Sequence, residues 1–120
     1  MPKEVKARDV NVSVQHITIG DEKYKLVFNN HAARVAEDVY ELRYGLDIGY
    51  ARILEQLSRE KYKAVMAVFY GAIIAGGCDM DWPEFDKKFK LDSIDGVTEI
   101  IMRGVEQSLP MPDTDDKTDP

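Results

Sequence analysis

The sequence predicts an α+β domain, mostly α, in which an N-terminal β-hairpin packs on a bundle of about five helices. Three observations lead there. The stretch 62–75, YKAVMAVFYGAIIA, is apolar on every face of a helical wheel once Lys63 is passed, and such a helix is buried in a core or spans a membrane. At 14 residues it is too short to span, since a bilayer needs about twenty. Ahead of it, Ile17, Ile19, Tyr24, Leu26 and Phe28 flank a Gly20-Asp21 turn signal. Around it, further stretches repeat apolar residues at helical spacing. The central hydrophobic helix is therefore expected over 59–75, with everything else arranged about it.

Length and charge set bounds. A chain of 120 residues is one domain by default, and it removes roughly two-thirds of its unfolded surface from water without staples. A net charge of −6 and a pI of about 4.9 argue against non-specific binding to nucleic acid or to an anionic membrane. Cys78 is the single cysteine, so no internal disulfide forms and a reducing cytoplasm fits. The opening MPKEVKARDV is charged and lacks the apolar core of a signal peptide.

Taken in order, residues 1–13 read as a lead-in, flexible or strand-like, before a single globular domain over 14–109. Val10, Val12 and Val14 alternate with polar residues, and the phase then slips to Ile17 and Ile19. A bulge near Gln15 and His16 accounts for the slip, and so does a third, separate edge strand. The hairpin admits two registers. A two-residue loop sets Ile19 opposite Glu22; a four-residue loop sets Ile19 opposite Tyr24 and Ile17 opposite Leu26. The second pairs apolar with apolar and is preferred.

Asn29-Asn30 offers an N-cap to a helix running to about Tyr44, with Ala32, Val35, Ala36, Val39 and Leu42 inward and Gly45 as its stop. Asp47 caps a short helix, 48–57, with Tyr50, Ile53, Leu54 and Leu57 inward. Ser58 caps the central helix with Glu60 in its first turn, Gly71 lets another backbone approach, and Gly76-Gly77 stop it. Asp79 or Asp81 caps a short helix through Trp82-Pro83-Glu84-Phe85. Asp92 or Ser93 caps the last helix, 94–109, with the stripe Ile94, Val97, Ile101 and Val105. Residues 110–120, PMPDTDDKTDP, read as a disordered acidic tail.

No set of residues reads as catalytic, cofactor-binding or metal-binding. His16 and His31 lack metal-ligand spacing, and Cys78 has no His or Cys near it in sequence. The acidic residues Asp79, Asp81, Glu84 and Asp86 lack the spacing of a calcium loop and are better explained as helix caps. A non-enzymatic protein is expected. Trp82, Phe85 and Phe89 lie close together on one amphipathic segment. They either close the core from below or leave an apolar landing site for a partner helix, and they are the candidate partner-binding residues. Met66, Met80, Met102 and Met111 are side chains that would make such a surface adaptable.

Two stretches carry a family resemblance. ITIGDEKYKLVFNN (17–30) followed by AARVAEDVY (32–40) resembles the opening of the tail assembly chaperones of long-tailed bacteriophages and prophages. ILEQLSREKYKAVMAVFYGAIIAG (53–76) is similar to that family's short leucine-x-x-leucine-serine helix leading into a hydrophobic helix. The order of elements continues alike to residue 109; the longer lead with VNVSV and the Trp82-Pro83 segment depart from it. The resemblance implies a protein of the host cytoplasm, absent from the finished virion. It would coat and solubilise the tape measure protein and help recruit major tail (tube) subunits. A longer, frameshifted form of the chain is a further partner that the family implies. Rival readings are a virion tail-completion or connector subunit and a small acidic regulator that masks a basic protein.

Overall fold

A computed structural model describes residues 12–89 and 96–109. The elements are β1 (Ser13–Ile19), β2 (Glu22–Phe28), α1 (Asn30–Tyr44), α2 (Tyr50–Ser58), α3 (Tyr62–Ala75), α4 (Trp82–Lys88) and α5 (Val97–Ser108). The architecture is the α+β arrangement expected, mostly helical, with a two-stranded antiparallel hairpin at its start. Residues 1–11, 90–95 and 110–120 lie outside the described residues. With them lie the expected lead-in, Val10, the Asp92 or Ser93 cap, Ile94, Met111 and the expected tail.

The apolar rod is the centre. In α3 every residue from Ala64 to Ile73 is buried except the half-buried Tyr70. It packs on α1, α2, β2, α4 and α5. Gly71 is the point of closest approach: a Cβ placed there would lie 2.4 Å from the Ala32 carbonyl oxygen of α1. Only a residue without a side chain lets the two helix backbones meet so closely. Gly76, at the end of α3, sits in the same way against the Lys25 carbonyl of β2.

The hairpin register corrects the expectation. Ile17 pairs with Tyr24 and Ile19 with Glu22, around the two-residue loop Gly20-Asp21. The two registers differ by two residues, so both turn the same side chains inward, and hydrophobic pattern cannot separate them. Turn geometry does. Gly20 has φ 63° and is the only loop residue with positive φ, as in the tight turns whose twist matches the strands. Glu22 is accommodated opposite Ile19 because its carboxylate accepts the Tyr24 hydroxyl and pairs with Lys88 Nζ at 3.3 Å.

The bulge is corrected too. β1 pairs without interruption from Ser13 to Ile19. The strand keeps one phase, and the valines simply face out: Val12 and Val14 are exposed. Ser13 takes the inward position and donates to the Gly104 carbonyl at 2.8 Å, so a buried hydroxyl is satisfied where a valine was expected. Val14 pairs with Val27 within the hairpin rather than in a separate strand. Among the described residues the sheet has two strands.

Helix boundaries shift at three places. α2 begins at Tyr50, not 48, and Asp47 does not cap it; the Tyr50 N–H donates instead to Glu37 Oε2 of α1 at 2.8 Å. A side chain on the neighbouring helix thus satisfies one of the orphan donors of the first turn. Ser58 ends α2 rather than capping α3, its hydroxyl donating to the Glu55 carbonyl at 2.6 Å. α3 starts after Lys61 with no side-chain cap. α5 begins at Val97, not 94, with Gly96 at its N-cap and no side-chain cap. Three caps fall as read. Asn29 Oδ1 accepts from Ala32 N–H at 2.9 Å, Asp81 Oδ1 accepts from Glu84 N–H at 3.0 Å, and Gly45 closes α1 at φ 72°.

Candidate protein-docking groove

The three residues expected to meet a partner are turned inward. Trp82 is 9% exposed, Phe85 0% and Phe89 1%. Phe85 and Phe89 pack on Phe69 with both centroid separations at 5.2 Å, and Phe89 meets Tyr24 of β2 at 5.5 Å. The side of α4 that carries them faces α3. Trp82, Phe85 and Phe89 therefore close the core, the first of the two readings, and in this conformation they offer a partner no landing surface beyond the rim of the Trp82 indole. Met66 and Met80 are likewise buried and Met102 packs half-buried against the core.

The exposed apolar surface lies next door, and it arises from the rotation of α1. The expected inner stripe included Leu42. The structure buries Ala32, Ala36, Val39 and Tyr40 instead, and Leu42 is 73% exposed. Leu42 lies about 200° round the helix from Tyr40, at 100° per residue. Both cannot face the core. Tyr40 wins because its ring fills the gap between α1 and α2, and its hydroxyl donates to Gln56 Oε1 at 2.8 Å. The close approach at Ala32 and Gly71 fixes the same rotation.

Leu42 then forms one lip of a groove of about 240 Å³ along the seam of α1 and α3. Val35 and Val39 continue the α1 wall. Tyr70 and Ile74, one turn apart, form the α3 wall, and Trp82 closes one end. The Tyr70 hydroxyl donates to the Met80 carbonyl at 2.9 Å, which ties its polar end to the loop before α4 and leaves ring carbon facing the groove. Burial pushes its pKa up. The Trp82 ring is held edge-on between Tyr70 at 5.3 Å and Tyr44 at 6.2 Å. Asp38 and Arg43 supply one charge of each sign at the rim.

An apolar trough between two helices, with charge at its edge, is the shape that accepts the apolar face of an amphipathic helix. Covering Leu42 would contribute about 1–2 kcal/mol, most of the value of burying one leucine side chain. That is enough for selection and too little for permanent attachment. Two other clefts are roomier, at about 530 and 560 Å³. One has a basic rim, and the other lies between the hairpin turn and the start of α5, beside residues outside the description. The α1–α3 groove has the largest share of apolar residues among those that line it.

The remaining sequence candidates are dispersed. His16 is exposed on the outer face of β1, opposite Lys25, and His31 is exposed in the first turn of α1. Cys78 is half-buried after α3, its thiol pushed up chiefly by burial and further by Asp79 and Glu84. Asp81 is engaged as a helix cap. Among the described residues no three His, Cys, Asp or Glu side chains converge as metal ligands, and no helix is long and apolar enough to cross a membrane.

Fold and groove together define a small α+β domain built around a buried apolar helix, with an open apolar trough on its surface. No family model, curated protein or solved structure matches the chain.

Proposed function

We propose that this protein is a phage or prophage tail assembly chaperone. It receives an apolar helical stripe of the tape measure protein in the α1–α3 groove, keeps that protein dispersed in the host cytoplasm, and yields to tail tube subunits as they assemble. The observation that carries the reading is Leu42, a large apolar side chain 73% exposed at the lip of an apolar trough. Two features support it. The segments that bear the family resemblance, 32–40 and 53–76, supply Val35 and Val39 on one wall of the groove and Tyr70 and Ile74 on the other, while Leu42 and Trp82 lie outside them. A net charge of −6 keeps a coated assembly apart by mutual repulsion. The modest apolar area suits a client that must later be released.

Co-expression tests the function apart from the site. The tape measure protein alone is expected to precipitate, and with this chain it should stay soluble and co-purify. Mass spectrometry of finished particles should then lack the chain. A tape measure protein that stays insoluble in its presence, or stoichiometric amounts of the chain in purified particles, would contradict the proposal; the second outcome favours a virion subunit.

A further inference from the structure

Away from the groove, the corner where α2 gives way to α3 holds a cleft of about 530 Å³. Its floor is apolar, with Leu46 and Tyr62 each 42% exposed. Hydrogen bonds to two residues on neighbouring helices hold its shape. The Tyr40 hydroxyl donates to Gln56 Oε1 at 2.8 Å. The Leu46 N–H donates to the Tyr40 carbonyl at 2.9 Å, in the bond that closes the end of α1, and the Lys61 N–H donates to the Gln56 carbonyl at 3.1 Å. Leu46 and Lys61 are thus anchored to the same linked pair. A site fixed before binding loses less freedom when a ligand enters.

The rim is basic in a chain whose net charge is −6. Arg59, Lys61 and Lys63 line the cleft, and Glu55 is the one acid among the lining residues. Arg59 reaches Glu55 at 3.7 Å, but both side chains are well exposed and water weakens the pair. Lys63 Nζ lies 5.1 Å from the Tyr44 ring centroid, a cation–π contact that places the ammonium without cancelling its charge. Among the described residues Lys61 has no ion-pair partner. Burial, and after it Asp86, pushes the Tyr62 pKa up, but Asp86 does not line the cleft. The excess positive charge selects an acidic ligand, and the floor selects an apolar anchor within it. A nucleic acid fits poorly, because it needs a run of phosphate contacts and the rest of this acidic chain repels it. We propose that the α2–α3 corner docks a short acidic segment of a partner protein, with one apolar side chain against Leu46 and Tyr62 and flanking carboxylates along Arg59, Lys61 and Lys63. Exposed charge pairs are screened over about 10 Å at 0.1 M salt, so the contact is weak, salt-sensitive and quickly released. The site goes beyond the chaperone reading and does not rest on it: its residues and the character of its ligand both differ from those of the groove.

The test uses the full chain and a synthetic peptide with blocked ends, Asp-Glu-Asp-Leu-Asp-Glu-Asp, read through the NMR amide signals of Leu46, Arg59, Lys61, Tyr62 and Lys63. These signals should shift and saturate, with a Kd on the order of 1 mM at low salt. Replacing the peptide leucine by serine should weaken binding about tenfold, and about 0.5 M NaCl should weaken it severalfold. Lys61→Glu, at an exposed position, should weaken it at least about threefold with signals elsewhere unmoved, and Lys61→Arg should bind like the wild type. The absence of a saturable shift up to about 10 mM peptide would overturn the proposal. So would shifts confined to other surfaces, or equal binding of the serine peptide. Equal or tighter binding of a single-stranded oligothymidylate at the same signals would assign the corner to nucleic acid and overturn the proposal. Cleft signals that move with protein concentration in the absence of peptide would place a second copy of the chain there, and would overturn it equally.

Discussion

Gly71→Ala is the sharpest probe of how the domain is held together. In an exposed helix this change would add about 1 kcal/mol of stability through helix propensity. Here the new methyl would lie 2.4 Å from the Ala32 carbonyl oxygen, with the Ala32 carbonyl carbon at 3.3 Å and the Ala36 amide nitrogen at 3.4 Å. All three atoms are backbone, so no side chain can rotate away. Reaching even a tight contact of 3.0 Å requires α1 and α3 to separate locally by at least about 0.6 Å. That separation loosens the interface along which Ala32, Ala36 and Val39 are buried. Overpacking of this kind costs about 1–3 kcal/mol, which outweighs the propensity gain. Chemical denaturation, with the slope held constant as a check on two-state behaviour, should show a net loss of up to about 2 kcal/mol. An unchanged or higher midpoint would mean that the α1–α3 backbone contact is not as close as described, and the position of the groove would fall with it.

Three further outcomes are expected. Glu60 has φ 58°, with Lys61 N–H donating to the Gln56 carbonyl at 3.1 Å and Glu60 N–H to the Leu57 carbonyl at 2.8 Å. This is a helix-ending motif that normally carries glycine, so Glu60→Gly should raise stability by about 0.5–1 kcal/mol; a loss would refute the strain. A Cβ at Gly104 would meet the buried Phe28 ring at 2.2 Å, so Gly104→Ala should destabilise by about 1–3 kcal/mol, and adding Phe28→Leu should recover part of it, as a double-mutant cycle would measure. Glu22 is held below its ordinary value of 4.5, first by the Tyr24 hydroxyl and then by Lys88. A carboxyl whose pKa is lowered on folding adds stability above its unfolded value, and that stability is lost as pH falls through the folded one. Thermal unfolding should therefore fall more steeply below about pH 4.5 in wild type than in Glu22→Gln; equal slopes would refute the coupling.

Much of the fold was legible because strong signals agreed. Residues 62–75 could only be a core helix, and Gly71 marked a backbone contact from its place inside it. The failures share one cause: patterns with two solutions that only tertiary packing separates. The hairpin registers differ by two residues and share faces, so the turn decided. On α1, Ala32, Ala36 and Val39 are compatible with an inner stripe completed by either Tyr40 or Leu42, and Gln56 on the next helix settled it for Tyr40. The same ambiguity hid the groove. A helix with two apolar stripes has one to spare, and Leu42 was placed in the core when it belongs to the surface. Trp82, Phe85 and Phe89 drew notice as an aromatic cluster, yet three large rings on a seven-residue helix and its C-cap residue bury more readily than they wait for a partner.

Leu42→Asp measures the central claim directly. The side chain is 73% exposed, so the melting temperature should stay within a degree or two, as for surface changes worth less than about 0.5 kcal/mol. Placed in an apolar trough, a carboxylate should abolish co-purification of the tape measure protein and return it to the insoluble fraction. A folded Leu42→Asp chain that still holds that protein in solution at wild-type yield would contradict the account.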